Sequence, residues 1–248
     1  MNRAKITMSY NGSAFMGSQQ QPTTHETVIG TLIIALKRLK INSLPKGSGR
    51  TDRGVHATHQ VMHIDLPLFW TDLQRLKEML NVQLPSSLRI QKIEFVSADF
   101  HARYSARKRV YRYIIKEGTS NPFADNFVTF VPQLNADAII DAITLFEGTH
   151  NFELFKKSGN DMEHYLRIIY RAYAYRYKGY LILCFEGNGF LRSQIRLMVG
   201  FLLRISAGKS TKEQLIEQLN GIKRHSTDIA PQNGLYLTRI NYKFSQSD

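Results

Sequence analysis

The sequence is short of thiols, of acids and of long apolar runs, and each shortage excludes something. Among its 248 residues there is one cysteine, Cys184, set in the apolar run Tyr180-Leu181-Ile182-Leu183-Cys184-Phe185. A single thiol closes no intramolecular disulfide, so this is not a disulfide-framed module, and Cys184 reads as a small buried hydrophobe. No segment approaches the roughly 18 continuous apolar residues that a membrane span needs. Met1-Asn2-Arg3-Ala4-Lys5-Ile6 leads directly into a polar-alternating segment, without the apolar stretch of a signal peptide. The expectation is a soluble cytoplasmic protein with no membrane partner. Acids number 20 against 33 Lys and Arg, a formal charge of +13. Self-repulsion of that size opposes compaction, which points to a polyanionic partner, nucleic acid first.

Low-complexity linkers are also missing, and hydrophobic periodicity fills the chain with two similar halves. Lys5 to Tyr10 reads as a strand, followed by a glycine-containing loop. Val28, Leu32, Ala35, Leu36 and Leu39 make a helical stripe that ends in basic residues, as suits a helix C-terminus. A short strand near Gly47 to Thr51, a strand from Thr58 to Leu66, a helix capped by Thr71 through Leu80, and a strand from Arg89 to Val96 complete β-α-β-β-α-β. The second half repeats the order. A long strand spans Arg103 to Lys116, and Asn135 caps a helix to Phe146. Leu166 to Tyr177 and Tyr180 to Glu186 form a hairpin around Lys178-Gly179. An apolar helix covers Leu191 to Ser206, a shorter one Thr211 to Leu219, and Leu235 to Phe244 closes as a strand. The predicted class is α/β (α+β), with two ferredoxin-like domains at 1–102 and 103–248 whose sheets join into one extended mixed or antiparallel sheet.

The chemistry concentrates in Gly47-Ser48-Gly49-Arg50-Thr51-Asp52-Arg53-Gly54-Val55-His56-Ala57. Glycines on both sides of the polar run Arg50-Thr51-Asp52-Arg53 let the backbone turn sharply and approach a ligand closely. Asp52 stands between two arginines, an arrangement that favours its ionised form. A loop held by an Arg-Asp pair has the same appearance. Arg103, Arg107, Lys108, Arg109, Arg112 and Lys116 fall in a stretch without acids, with Tyr104, Tyr111 and Tyr113 interleaved. Cations for phosphates and aromatics for splayed bases suit structured RNA, although a strand with one basic and one aromatic face gives the same pattern. Arg192 and Arg196 lie four apart in an apolar helix, where an arginine needs an anionic partner such as Asp52.

Several other patterns lack a required component. His56, His59 and His63 give H-x-x-H-x-x-x-H without thiolates or an H-E-x-x-H motif, so no metal site is assigned. Gly187-Asn188-Gly189 lacks the third glycine and the Lys-Ser/Thr of nucleotide loops. Tyr173, Tyr175 and Tyr177 have strand periodicity and read as packing.

Gly49-Arg50-Thr51-Asp52-Arg53-Gly54-Val55-His56-Ala57 closely resembles the G-R-T-D-A-G-V-H-A signature of the tRNA pseudouridine synthase A family. Further similarities follow in order along nearly the whole chain. Tyr10 to Gly17 resembles Y-D-G-x-x-F-x-G. Phe100 to Ala106 with Arg109-Val110-Tyr111-Arg112-Tyr113 resembles F-H-A-R-F-S-A…R-x-Y-x-Y. Gly148 to Phe152 resembles G-x-H-D-F. Gly189-Phe190-Leu191 with Arg196 resembles G-F-L…R-x-M-V-G, and Pro231 to Leu237 resembles P-x-x-G-L-Y-L. The resemblance implies the pseudouridine synthase fold, no metal or organic cofactor, and a homodimer acting on anticodon stem-loop uridines at positions 38 to 40 of tRNA. It makes Asp52 the catalytic aspartate and Arg196 its partner. It casts Tyr111 as the ring that stacks on the target base, Leu235 as part of the apolar pocket, and Arg50 as a loop and RNA contact. Arg103 and Arg109 would bind substrate RNA. Three departures stand out: Ser18 where the family has tryptophan, Arg53 where it has alanine, and Arg192-Ser193-Gln194-Ile195 after Phe190-Leu191.

These residue types fit the reaction. Breaking the N-glycosidic bond leaves oxocarbenium character on the ribose, which a carboxylate stabilises or traps. The detached uracil must be kept while it turns, which calls for a closed pocket with a flat wall, and the nucleotide must first leave its stack. Two rival readings are a non-catalytic RNA-binding protein on the same fold, such as a tRNA-folding chaperone, and a synthase of this family acting on another RNA.

Overall fold

The computed structural model describes residues 1–157 and 164–242. The chain divides into two compact units, Met1–Arg107 with Tyr236–Asp248, and Lys108–Leu235.

In the first unit, β1 (Asn2–Tyr10) leads to α1 (Val28–Arg38), β2 (Lys46–Gly47), β3 (His56–Leu66), α2 (Leu73–Gln83) and β4 (Leu88–Phe95). β1 pairs antiparallel with both β3 and β4, and β2 pairs antiparallel with β3. This is the β4-β1-β3-β2 order of a ferredoxin-like unit, as the periodicity predicts. The Thr27 hydroxyl caps α1 by accepting from Gly30 N at 3.0 Å. Val28, Leu32, Ala35 and Leu36 turn inward, and Lys37 and Arg38 close the last turn, where their charge complements the helix dipole. Asp72, not Thr71, caps α2, accepting from Arg75 N at 2.9 Å. A carboxylate at that position satisfies an otherwise unpaired amide and meets the positive end of the helix. Ile6, Met8, Leu32, Leu36, Met62, Leu76 and Leu80 form the fully buried core between these helices and the sheet.

The second unit holds β5 (Lys108–Glu117), β6 (Thr129–Val131), α3 (Ala136–Ile143), β7 (Gly148–Asn151), β8 (Leu166–Tyr177), β9 (Tyr180–Gly187), α4 (Gln194–Ser206) and α5 (Lys212–Leu219). β6 runs parallel to β5; β5-β9, β9-β8 and β8-β7 are antiparallel. The β8-β9 hairpin turns at Lys178 and Gly179, both at positive φ, as the twist of a two-residue hairpin loop requires. A fully buried cluster of Phe146, Phe152, Phe155, Phe185 and Phe201 seats α4, with successive ring centroids 5.7 to 6.3 Å apart. β6 and β7 are too short to leave an alternation that can be read from sequence.

The last strand among the described residues, β10 (Leu235–Asn241), starts at the final residue of the second unit and runs in the first. There Tyr236 and Leu237 pair in parallel with His56 and Ala57 of β3. The expected continuation to Phe244 lies outside the described residues. Other boundaries also differ. The strand expected from Arg103 begins at Lys108, because Arg103 to Arg107 lies in a turn-rich segment of the first unit. The short strand expected to reach Thr51 is confined to Lys46–Gly47. The helix expected from Leu191 begins at Gln194, after Ser193 at φ 58°.

Candidate active site

In the first unit, Asp52 is half-buried at the turn that feeds β3, and the residues around it are fastened by buried polar groups. Thr51 N donates to Ser18 Oγ at 2.8 Å, while Ser18 N donates to Thr51 O at 3.1 Å. The Thr51 hydroxyl meets Tyr10 OH at 2.8 Å. Burial pushes the Tyr10 phenol up to about 12, against the pull of its bonds to Thr51 and Gln60, so it stays a neutral partner. Gln60, fully buried on β3, accepts from Ser48 Oγ at 2.6 Å and donates to Gly49 O at 3.1 Å. On the other flank Val55 N donates to Asp52 O at 3.2 Å, and Gly54 N to Gly12 O at 3.2 Å. His56 accepts from Gly12 N through Nδ1 at 3.0 Å and stacks on Tyr236 at 4.6 Å.

Two glycines are required here. Gly54 turns the loop at φ 78°, and a Cβ on Gly12 would sit 2.1 Å from Val55 O. The Gly12 loop therefore packs directly under the Asp52 loop, with no room for a side chain between them. The result is a carboxylate whose main chain is fixed on both sides, flanked by the exposed Arg50 and Arg53.

In the second unit, Tyr111 and Tyr113 point to the buried face of β5. The Tyr111 ring meets Phe190 edge-on at 5.3 Å, and Arg109 donates to Asn188 O at 2.6 Å. The Tyr113 hydroxyl bonds Thr129 Oγ1 and Pro231 O, each at 2.7 Å; burial raises its pKa, opposed by Thr129 and by the nearby Arg196 charge. Arg196 stands on α4, its Nε donating to Ala230 O at 2.7 Å and its Nη2 reaching Gln232 Oε1 at 3.4 Å. Ala230 N returns a bond to Arg196 O at 3.0 Å. A Cβ on Gly200 would lie 2.0 Å from Asp228 O, so the helix and the 228–230 segment touch backbone to backbone. From there the chain passes Gly234, whose carbonyl accepts from Ile114 N at 2.9 Å, to Leu235, which is buried. Arg196 and the β5 residues Tyr113 and Ile114 are thus tied to one segment, Ala230 to Leu235, and Tyr111 stands on the same strand.

Some expectations at this level need correction. Within the basic stretch, Arg103 and Arg107 are exposed in the first unit, whereas Lys108 on β5 is paired with Glu186 at 3.2 Å. Arg192 precedes α4 and does not share a helical face with Arg196. The β1-β3 register jumps between Met8↔Gln60 and Tyr10↔Ala57, a bulge in β3; His59 is exposed and His63 buried. Among the described residues, no group of three His, Cys, Asp or Glu is placed to hold a metal ion. No helix among them is long and apolar enough to cross a membrane.

Comparison with known proteins decides the family. A model described as tRNA pseudouridine synthase matches residues 6–105 and 142–243. The chain belongs to the tRNA pseudouridine synthase family. Proteins named tRNA pseudouridine synthase A resemble it over almost their full length. The one from Campylobacter jejuni strain RM1221 is 39% identical over 97% of this chain and 100% of its own. That of Wolinella succinogenes is 39% identical over 96% and 94%, and that of Helicobacter hepaticus 36% identical over 96% and 98%.

As a member of the pseudouridine synthase family the chain is an isomerase in class, and the structure adds residues that sequence reading missed. Ser18 stands out in sequence only as a departure from the family's tryptophan; in the fold its hydroxyl receives the Thr51 amide. Gln60, Ser48 and Tyr10 brace the same loop, and a glutamine inside an apolar strand was the one signal that could have revealed this. Gln194, part of another departure, is fully buried and accepts from Leu191 N at 2.8 Å, fixing the entry to the Arg196 helix.

Proposed function

We propose that this enzyme isomerises uridine to pseudouridine in the anticodon stem-loop of tRNA, at positions 38 to 40, with Asp52 as the catalytic group. What supports it most is the fixation of the Asp52 loop: neighbouring amides, hydroxyls and glycine contacts are satisfied inside the protein, leaving a half-exposed carboxylate on a rigid support. A purely structural turn needs no such bracing of one acidic residue, whereas a group that must meet a ribose carbon within a few tenths of an ångström does.

In this reading the target nucleotide is extruded and its uracil lies against Tyr111 with Leu235 at its edge. Arg196 serves as the partner of Asp52 that the family resemblance implies, and Arg50, Arg103 and Arg109 serve the RNA backbone. As the N-glycosidic bond lengthens, positive charge grows on the ribose, and the Asp52 carboxylate stabilises it. The uracil turns within the pocket and rejoins the ribose through C5; the C5 proton passes to solvent and N1, freed from the ribose, takes up one. The enzyme works as a homodimer in the cytoplasm, where its substrate is.

Release of tritium from tRNA labelled at uracil C5 tests the assignment. Wild-type protein releases it; Asp52→Asn binds the same tRNA and releases none. An Asp52→Asn variant with wild-type turnover would remove the catalytic role. Wild-type protein that binds tRNA without any release would favour the non-catalytic reading.

A further inference from the structure

A second feature of the first unit lies away from the Asp52 loop. His63 of β3 is buried, and its ring meets that of His101 at 4.6 Å and 63°. His101 in turn lies 4.3 Å from the Tyr104 ring at 33°. Three rings therefore climb from the core to the surface, and the last, Tyr104, is 74% exposed. The pile is fixed by the main chain. Arg103 N and Tyr104 N both donate to His101 Nδ1, at 3.1 and 3.3 Å, and Ala102 N donates to His63 Nδ1 at 3.1 Å. Both imidazoles thus act as acceptors, which requires their neutral forms. Burial and the nearby Lys46, Arg3 and Arg103 hold the His101 pKa below its ordinary value, in agreement.

The surroundings are basic. The Arg103 guanidinium lies 5.8 Å from the Tyr104 ring centre, and Arg107 and Lys46 are exposed nearby in sequence or in space; Arg3 is offset by Asp65 and Asp99. A rigid, exposed aromatic face with cations beside it complements a nucleobase and its phosphate. We propose that Tyr104 is a stacking platform for an unpaired tRNA base other than the one being isomerised. This rests on the tRNA-modifying reading above and names a further contact for it. Seven residue steps along β3, roughly 23 Å of extended chain, separate His63 from His56 beside the Asp52 loop. The platform therefore contributes to holding tRNA and not to the bond-making step.

The test uses full-length protein and an unmodified tRNA transcript. Tyr104→Ala weakens tRNA binding about 5- to 150-fold, the usual effect of losing one stacked base, and leaves kcat at saturating tRNA unchanged. Tyr104→Phe and Tyr104→Trp retain affinity, and the new indole fluorescence of Tyr104→Trp is quenched on binding. Binding of inorganic polyphosphate, which has charge but no bases, is the same in wild type and Tyr104→Ala. Unchanged tRNA affinity in Tyr104→Ala overturns the proposal, as does an equal loss for polyphosphate or an equal loss in Tyr104→Phe. These outcomes are separable from the catalytic reading, which stands or falls on tritium release by the wild type.

Discussion

Ser18→Ala puts the fixation of the catalytic loop to the test. The Ser18 hydroxyl accepts the Thr51 amide at 2.8 Å, and both residues are buried, at 2% and 7% exposure. Removing the hydroxyl leaves that amide without its partner in a site that admits little water. An unsatisfied buried donor costs about 1–3 kcal/mol, and the longer contact from Ser18 Oγ to Thr51 O, 3.4 Å, adds little. The loop is not released, because Ser18 N still holds Thr51 O and Tyr10 still holds the Thr51 hydroxyl. The Thr51 peptide is free to tilt, however, and Asp52 is the next residue. Misplacing a reacting group by about 1 Å costs on the order of 100-fold in rate. The expected outcome is a urea-unfolding loss of about 1–3 kcal/mol, single-turnover tritium release slowed about 10- to 100-fold, and tRNA binding unchanged. Ser120→Ala, an exposed control, does neither. A Ser18→Ala protein of wild-type stability and rate would refute the reasoning. Loss of stability with full rate would break its second half, that the loop's fixation serves the chemistry.

Two further perturbations follow from the packing. Gly200→Ala places a methyl 2.0 Å from the Asp228 carbonyl oxygen, which is backbone and cannot step aside. α4 must then lift from the 228–230 segment and take Arg196 with it. A loss of about 3 kcal/mol or more in urea unfolding, with a drop in kcat beyond that explained by unfolded protein, is the expected result; wild-type behaviour in both would contradict the close approach. His63 gives a pH signature. Burial, reinforced by His101, Arg3 and Lys46 against the opposing Asp65, lowers its pKa to about 4. The unfolded chain takes up that proton near 6.5 and the folded chain only near 4. Stability from this group is therefore complete above about pH 6.5 and is lost as pH falls toward 4, by up to about 3 kcal/mol. His63→Asn, whose amide oxygen replaces the Nδ1 acceptor, should show a shallower loss of urea stability between pH 7 and 4.5. Equal slopes would rule out His63 as the source.

Long elements were legible because their periodicity is a direct consequence of burying one face. α1 is a one-sided stripe ending in Lys37 and Arg38, and the β8-β9 hairpin announces itself by Lys178-Gly179 between alternating runs. Thr71 and Asp72 are both acceptable caps, and sequence alone does not say which side-chain oxygen reaches the Arg75 amide. The bulge in β3 was invisible for a different reason. It is a property of the pair of strands, and Thr58-His59 looks like any alternating dipeptide until Tyr10 is seen opposite Ala57. For the site, the motif around Asp52 was legible and its bracing was not. Ser18, Gln60 and Tyr10 are distant in sequence from Thr51 and Ser48, and their role exists only once β1, β3 and the loop after β1 are side by side. Charge density says nothing about where a fold divides, and the basic stretch from Arg103 to Lys116 spans the boundary between Arg107 and Lys108.

The parentage of β10 has a consequence for biosynthesis. Its register with β3 means that the open side of the first unit waits, during translation, until all of the second unit has emerged before Tyr236 reaches His56. Until then a strand edge close to the Asp52 turn is available to any passing chain. A ribosome-stalled fragment ending before Tyr236 should accordingly be sticky and inert, and β10 doubles as the first unit's seal.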